Sequence, residues 1–266
     1  MISGRLNIGT SGWHYKHWIA DFYPAKFPSS KMLGWYAQHF ETVEINNSFY
    51  KLPTQEALQG WRDTVPEDFC FSVKASRFIT HMKRLSDPRN AISKFLSRVE
   101  ILGEKLGPIL FQLPPNWHGN ADRLEEFLAA LPTSHRYVFE FRELSWYVPA
   151  IYRVLQRYNA ALCIHDWRDS LWPVEITANF TYVRLHGSNG TYYGSYSKKK
   201  LEQWARKIRE WQSLAGGAFV YFNNDQGGHA VRNAQSLKNL LMDGLKDRGK
   251  DPEDVFHTDS SSKNVA

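Results

Sequence analysis

The sequence contains little cysteine and no long apolar run. Its 266 residues include only two cysteines, Cys70 and Cys163, and each lies inside a short hydrophobic stretch. Buried free thiols are therefore expected and a disulfide framework is not. No run reaches the roughly 18 apolar residues of a membrane-spanning helix. The first residues lack a charged segment followed by an apolar one, so no signal peptide is predicted and a cytoplasmic location is expected.

Motifs that mark several common enzyme classes are also absent. The first strand-like run continues as Gly9-Thr-Ser-Gly-Trp13, without a GxGxxG pattern, which argues against a dinucleotide-binding fold. No HxH, HExxH or CxxC spacing occurs, so the sequence predicts no metal site and no cofactor. A divalent metal held by scattered carboxylates and histidines stays open as an alternative.

The charge balance is mildly basic. Lysine and arginine number 33 against 27 aspartates and glutamates, a formal net charge of +6. This excess favours anionic partners, either a small anionic ligand or nucleic acid, although part of it lies on an ordinary helix face at Lys198–Lys200. Nothing in the sequence indicates an oligomeric state.

Strand-like and helix-like runs alternate along the chain, which predicts parallel βαβ units. The strand-like runs are 6–9, 42–45, 69–74, 108–112, 137–141, 161–165, 180–185 and 218–222. The helix-like runs are about 30–39, 54–63, 88–106, 120–131, 145–158, 197–214 and 228–245. Five residues are expected as helix N-caps: Thr54, Asp87, Asn120, Ser145 and Ser197.

Eight strands in about 245 residues favour a closed TIM-type (β/α)₈ barrel over an open sheet. The α/β barrel is predicted to form one domain over residues 1–246. Residues 247–266 are polar and without periodicity, and are predicted to be a disordered tail.

Polar residues stand at the ends of seven consecutive strands, in the phase that places them on one face. They are Glu44, Asn46, Ser72, Lys74, Gln112, Glu140, Arg142, Asp166, Arg184, His186, Asn223 and Asn224. The carboxyl ends of the strands of a TIM barrel form its active-site mouth, so these side chains are expected to share one opening. Carboxylates and cations of similar number predict a mouth of near-zero charge for a polar, neutral or mildly anionic ligand. Aromatic residues near this mouth are candidates for stacking on a sugar or a base: Trp13, Tyr15, Tyr50, Trp146, Tyr192 and Tyr193.

Several sequence blocks resemble the YecE-like family, also called domain of unknown function 72. The blocks are Gly9–Trp13 with Phe22–Pro24, Glu44–Tyr50, Lys74 with Thr80-His81, Leu110–Pro115, Glu140–Arg142, Tyr182–Gly187 and Phe222–Asp225. The resemblance runs from about residue 6 to residue 240. It implies a TIM barrel with a polar pocket, and it implies no activity, because none is known for the family.

Three functions are compatible with the strand-end residues. In the first, an acid–base enzyme acts like a hydrolase on a sugar-like or phosphorylated substrate. Glu44 and Glu140 would be its carboxylate pair, and His186 or Lys74 its proton partner. Arg142 and Arg184 would then hold an anionic group.

The second function is a nucleic-acid-binding protein or a metal-assisted phosphoesterase resembling the barrel of endonuclease IV. Its candidate metal ligands are Glu44, Glu140, Asp166 and His186. His81 can join either enzymatic scheme. The third function is a non-catalytic binder of a small ligand, read by the amides of Asn46, Gln112, Asn223 and Asn224.

Overall fold

A computed structural model describes residues 5–169, 172–189 and 192–246. Within these ranges eight parallel strands form one sheet that curves into a barrel. The strands are β1 (Leu6–Thr10), β2 (Thr42–Ile45), β3 (Cys70–Lys74), β4 (Leu106–Gln112), β5 (Tyr137–Glu140), β6 (Ala161–His165), β7 (Thr181–Leu185) and β8 (Ala218–Phe222). Each strand pairs with its sequence neighbour from β2 to β8, and β8 pairs with β1. The predicted TIM-type barrel in a single domain is confirmed.

A tyrosine hydroxyl, in place of a strand ladder, joins β1 to β2. The Tyr36 hydroxyl accepts a hydrogen bond from the Thr10 N–H at 2.9 Å and donates one to the Thr42 carbonyl at 3.0 Å. Gly9 permits this close approach, because a Cβ there would lie 2.2 Å from the Thr42 oxygen. The barrel is therefore closed through a side chain that bridges the two strands.

Seven α-helices occur in the described residues. They are α1 (Met32–Tyr36), α2 (Gln55–Thr64), α3 (Pro88–Val99), α4 (Ala121–Ala129), α5 (Pro149–Arg157), α6 (Lys198–Ala215) and α7 (His229–Lys246). Three predicted N-caps are confirmed, since the side chains of Thr54, Asn120 and Ser197 each accept a backbone N–H of the following turn. The described part of the segment between β6 and β7 contains a 3₁₀ turn but no α-helix.

Two other predicted caps are wrong. Asp87 has a left-handed backbone with φ 46° and makes no side-chain cap, so the proline at N1 alone marks the start of α3. Ser145 lies in a separate 3₁₀ turn and accepts the Gly119 N–H at 2.7 Å, while α5 begins four residues later at Pro149. The helix predicted over 88–106 also ends early at Val99, and a 3₁₀ segment with a positive-φ glycine, Gly103, follows it.

The barrel has two hydrophobic layers. The larger one lies between the strands and the surrounding helices. The smaller one fills the barrel interior with side chains that alternate inward along the strands, among them Leu110, Val138, Tyr182 and Tyr221. This interior layer forms the floor under the polar mouth. None of the helices in the described ranges is long and apolar enough to cross a bilayer. The tail predicted for 247–266 lies outside the described residues.

Candidate functional site at the carboxyl ends of the strands

One polar layer closes the top of the barrel interior. Glu44 on β2 pairs in register with Ser72 on β3, and Gln112 on β4 with Glu140 on β5. On the other side of the barrel, Arg184 on β7 pairs with Tyr221 on β8. Side chains two residues apart on a strand share a face. The residues two positions further toward the carboxyl ends of these strands therefore form the next layer, and this layer is the mouth.

Arg184 lies at the centre of this layer, between two glutamates. Its Nε and Nη2 donate to the carboxylate of Glu44 at 3.0 and 2.8 Å, and its Nη1 donates to Glu140 Oε2 at 2.6 Å. All three side chains are fully buried. A buried charge is tolerated only when it is paired and hydrogen-bonded, and here one guanidinium satisfies two carboxylates.

Glu44 is held by hydroxyl groups as well as by Arg184. The Ser11 hydroxyl donates to its Oε1 at 2.7 Å, and the Tyr182 hydroxyl donates to its Oε2 at 2.6 Å. Ser72 in turn lies 2.6 Å from the Tyr182 hydroxyl and donates to the Pro108 carbonyl at 2.8 Å. Both Glu44 oxygens are therefore occupied by protein donors.

Glu140 continues the network toward the rim. Its second oxygen pairs with the Arg142 guanidinium, which also lies 3.2 Å from His186 Nε2 and stacks 4.2 Å above the Trp167 ring. Burial alone would raise the pKa of Glu140, but Arg142 and Arg184 outweigh it and hold this pKa well below its usual range. Glu140 is thus ionised at neutral pH.

His186 is a neutral member of the network. Burial, then the neighbouring Arg142, hold its pKa well below the ordinary value. Its other ring nitrogen lies 3.3 Å from the Asn223 amide, and its backbone N–H donates to Asp166 at 2.7 Å. The neutral imidazole can therefore position and hydrogen-bond but carries no charge.

Lys74 differs from the other charged residues of the mouth. Within the described residues no carboxylate lies at ion-pair distance from its amine, which lies 4.3 Å from the centre of the Phe49 ring. Burial, then the positive charge of Arg184, lower its pKa to about 7. A lysine with such a pKa exchanges its proton at neutral pH, as catalytic lysines do.

Five polar atoms around the mouth are buried and have no hydrogen-bond partner among the described residues. They are Asn46 Oδ1, Gln112 Oε1, Glu140 Oε1, Arg142 Nε and Asn224 Oδ1, at the ends of β2, β4, β5 and β8, and of these Glu140 Oε1 is ion-paired with Arg142. A buried polar atom without a partner costs about 1–3 kcal/mol. Their common position at the mouth indicates a ligand that would complete their hydrogen bonds.

Asp166 and Asn224 brace the loops and do not reach the ionic network with their side chains. Asp166 accepts the Tyr196 hydroxyl at 2.5 Å in addition to the His186 N–H, and burial raises its pKa to about 6. The Asn224 amide donates to the Gly194 carbonyl at 2.8 Å and to Asn233 at 3.0 Å. Both side chains hold the β7–α6 loop in place.

The aromatic candidates have different environments. Trp146 is fully buried and stacked on Phe141, so it belongs to the core. Tyr50 is 75% exposed, and Tyr192 contacts the His186 ring at 5.2 Å. Trp13 packs edge-on against Trp61 on α2.

His81 lies in a π-helical turn after β3, next to Phe49, and burial lowers its pKa to about 4. Lys74 and His81 both lie against the Phe49 ring, and the positive charge of Lys74 lowers the pKa of His81 further, so His81 is a neutral group near the lysine.

The carboxylates of the network are not arranged as metal ligands. Within the described parts of the chain, no three histidine, cysteine, aspartate or glutamate side chains converge on one point. The oxygens of Glu44 and Glu140 are occupied by Arg184, Arg142, Ser11 and Tyr182. The residues present therefore do not fit a carboxylate–histidine metal centre.

Sequence reasoning missed three residues of the network. Ser11 and Tyr182 hold Glu44, and His165 lies 3.0 Å from the Phe141 carbonyl. The sequence pattern could have revealed two of them. Tyr182 lies two residues before Arg184, and His165 lies two residues after Cys163, so both share the face of the strand that points into the barrel. Ser11 follows a strand end inside a loop, where phase gives no information.

The fold and the site together define a TIM barrel with a buried ionic network and, at its mouth, a lysine that has no ion-pair partner among the described residues. Residues 7–254 match the model of the family described as protein of unknown function DUF72, and the chain belongs to this family. It is 30% identical to the UPF0759 protein YunF of Bacillus subtilis, over 89% of this chain and 94% of that protein. The UPF0759 protein YecE of Escherichia coli is 30% identical over 52% of this chain and 48% of its own length.

Solved structures agree with this assignment. A DUF72 family protein from Thermotoga maritima superimposes with a TM-score of 0.81 at 26% identity, over 89% of this chain and 99% of that one. Another, from Enterococcus faecalis, has a TM-score of 0.71 at 21% identity, over 91% of this chain and 99% of that one. The resemblance to the YecE-like family is therefore confirmed.

Proposed function

We propose that this protein is an acid–base enzyme of the hydrolase type that binds an anionic group of a small, sugar-like or phosphorylated substrate beside Lys74. The observation that carries the proposal is the position of the Lys74 amine. It lies at the mouth with a pKa lowered to about 7 and without a carboxylate at ion-pair distance among the described residues. Turnover assays distinguish such an enzyme from a protein that binds the same ligand without catalysis.

Charge balance supports an anionic ligand. Glu44 and Glu140 cancel the charges of Arg142 and Arg184, with which they are paired. Asp166 is held by the Tyr196 hydroxyl and the His186 N–H and makes no ion pair with Lys74. The ammonium form of Lys74 is therefore a half-buried positive charge without an ion-pair partner among the described residues. A bound phosphate or carboxylate would compensate it and raise the pKa of Lys74.

The two glutamates have a supporting role in this proposal. Both are fully buried and paired with arginine, Glu44 with Arg184 and Glu140 with Arg184 and Arg142, so neither can act as a proton donor in the way a glycosidase acid does. Their function is to fix the two arginines, and the buried Arg142 Nε, which has no partner among the described residues, would donate a hydrogen bond to the ligand.

Lys74 would act as the general acid. Hydrolysis adds water across the scissile bond, so the leaving oxygen would take the proton of Lys74. The attacking water would release a proton, which returns the amine to its charged form. A group with a pKa of about 7 is suited to this exchange at neutral pH. The cytoplasmic location is part of the same proposal.

The experiment compares wild type, Lys74→Met and the control Lys51→Met, in which an exposed lysine near the rim is replaced. Sulfate binding is measured by calorimetry, and turnover is measured on a panel of sugar phosphates and nitrophenyl glycosides. We expect Lys74→Met to lose at least tenfold in sulfate affinity and all turnover, and Lys51→Met to retain both. Equal sulfate affinity in Lys74→Met would refute the site. Sulfate binding without any turnover would show a binder instead of an enzyme.

Nucleic-acid binding is a second candidate function, favoured by a basic patch at the rim. Lys83, Arg84 and Arg123 line a small cavity of about 240 Å³ together with Trp117. Cations beside an aromatic ring are the elements of single-strand recognition. Salt dependence of oligonucleotide binding tests it: a steep loss of affinity with salt that Arg84→Ala weakens would support this function, and no binding at low salt would exclude it.

A further inference from the structure

A second cavity lies beside the mouth, between the loop after β1, the end of β2 and helix α2. Its volume is about 510 Å³, within the range of small-molecule sites. Three aromatic residues line it, Trp13, Tyr15 and Trp61. The rings of Trp13 and Trp61 meet at 88°, so the cavity presents a ring face beside a ring edge and no parallel slot for a flat base.

The polar lining is rich in hydrogen-bond acceptors and contains no lysine or arginine. Glu56 contributes a carboxylate, and its pKa is lowered because its own backbone N–H and the Thr54 hydroxyl hydrogen-bond to it. Asn46 contributes the buried Oδ1 that has no partner among the described residues. The wall carries one carboxylate and no lysine or arginine, and its side-chain amides and hydroxyls can both donate and accept hydrogen bonds. It therefore disfavours an anion and fits a neutral group with several hydroxyls.

Helix α2 leaves space for such a group. A Cβ added at Gly60, which lines the cavity, would meet no heavy atom within 4 Å. Glycine in the middle of a helix is unfavourable relative to alanine, so its presence in α2 lacks a local reason. A ligand that occupies the space beside Gly60 would supply one.

Asn46 connects this cavity to the mouth. Ile45 on β2 pairs with Val73 on β3, so the next residues, Asn46 and Lys74, follow at the same level of adjacent strands. The Asn46 amide also lies 3.5 Å from the carbonyl of Ser11, whose hydroxyl holds Glu44. One ligand can therefore contact Lys74 with one end and the aromatic cavity with the other.

We propose that the aromatic cavity is the subsite for the neutral, hydroxyl-rich ring of the substrate, whose anionic group lies at Lys74. This rests on the function proposed above and narrows its substrate to a sugar that carries a phosphate or a carboxylate. The ring packs against the Trp61 face, and its hydroxyls donate to Asn46 and Glu56.

Saturation-transfer NMR and calorimetry test the subsite, with glucose 6-phosphate, maltose and sulfate as probes. The variant Gly60→Leu fills the cavity. Its control Gln59→Leu adds the same side chain one residue away, outside the lining. We expect saturation transfer to the ring C–H protons of glucose 6-phosphate. We also expect Gly60→Leu to weaken glucose 6-phosphate at least tenfold, while its sulfate affinity and the affinities of Gln59→Leu stay within twofold of wild type.

Two results would overturn the subsite and leave the mouth intact. Wild type could bind sulfate without saturation transfer to either sugar, or Gly60→Leu could bind glucose 6-phosphate as well as wild type does. If wild type did not bind sulfate at all, this result would instead refute the function proposed at Lys74. If Gly60→Leu does not fold, Gly60→Ala provides the same comparison with a single added methyl group and an expected weakening of about tenfold.

Discussion

Replacing Lys74 by methionine should stabilise the fold while it removes function. The pKa of Lys74 is about 7 in the folded protein against an ordinary 10.5. Each pKa unit corresponds to about 1.4 kcal/mol, which sets a ceiling of about 5 kcal/mol on the cost of the buried ammonium. Because Lys74 keeps partial contact with solvent, we expect a gain of about 2–3 kcal/mol.

The pH dependence identifies the cause. The folded state prefers the neutral amine, so the cost is fully present at and below pH 7. It declines as the pH rises from 7 toward the pKa of the unfolded chain. The stability difference between Lys74→Met and wild type should therefore be constant from pH 5 to 7 and shrink by pH 9.5.

Thermal unfolding followed by circular dichroism measures this difference. For a chain of this length a gain of 2–3 kcal/mol corresponds to a rise in Tm of about 5–10 °C at pH 6. Lys51→Met should leave Tm within about 1 °C, since an exposed lysine has little effect on stability. A variant no more stable than wild type at pH 6, or a difference that does not change with pH, would refute the reasoning about the buried amine.

Three other substitutions test the surrounding structure by urea unfolding. Glu140→Gln should lower the free energy of unfolding by about 3–5 kcal/mol, since it leaves buried guanidinium charge uncompensated. The control Glu125→Gln, which breaks only the exposed pair with Arg157, should lower it by less than about 1 kcal/mol. Equal effects of the two substitutions would contradict the buried network. Tyr36→Phe should lower the free energy of unfolding by about 1–3 kcal/mol, because it removes the hydroxyl that bridges β1 and β2. An unchanged stability would mean that other contacts hold these two strands together. Gly60→Ala should add about 0.5–1 kcal/mol, and a loss of stability would show that the space beside α2 is filled by protein.

The period-two phase of the strand ends predicted the most about the site. It placed Glu44, Glu140, Arg184 and His186 at one mouth, and the structure brings these four into one contact network. Phase gives the face of a side chain but not its partner. The sequence therefore could not show that Arg184 pairs with both glutamates and Arg142 with Glu140, which moves the reactive role in our proposal from the carboxylates to Lys74.

Contacts that depend on helices and loops were beyond sequence reasoning. Tyr36 closes the barrel from a helix, and Trp61 lines the aromatic cavity from another helix, so neither belongs to a strand-end pattern. Ser145 has the residue type of an N-cap, yet its hydroxyl accepts a hydrogen bond from the Gly119 N–H instead of from a helix N–H. In each case the partner is distant in the chain, and local propensity carries no information about it.

Our central proposal is that the Lys74 amine, which has no ion-pair partner among the described residues, binds an anion. The direct measurement is an NMR titration of the Lys74 ε-carbon, assigned by comparison with Lys74→Met, in the absence and presence of saturating sulfate. We predict a pKa near 7 for Lys74 in the free protein, which rises by at least one unit when sulfate is bound. A pKa near 10.5 that sulfate does not change would contradict it.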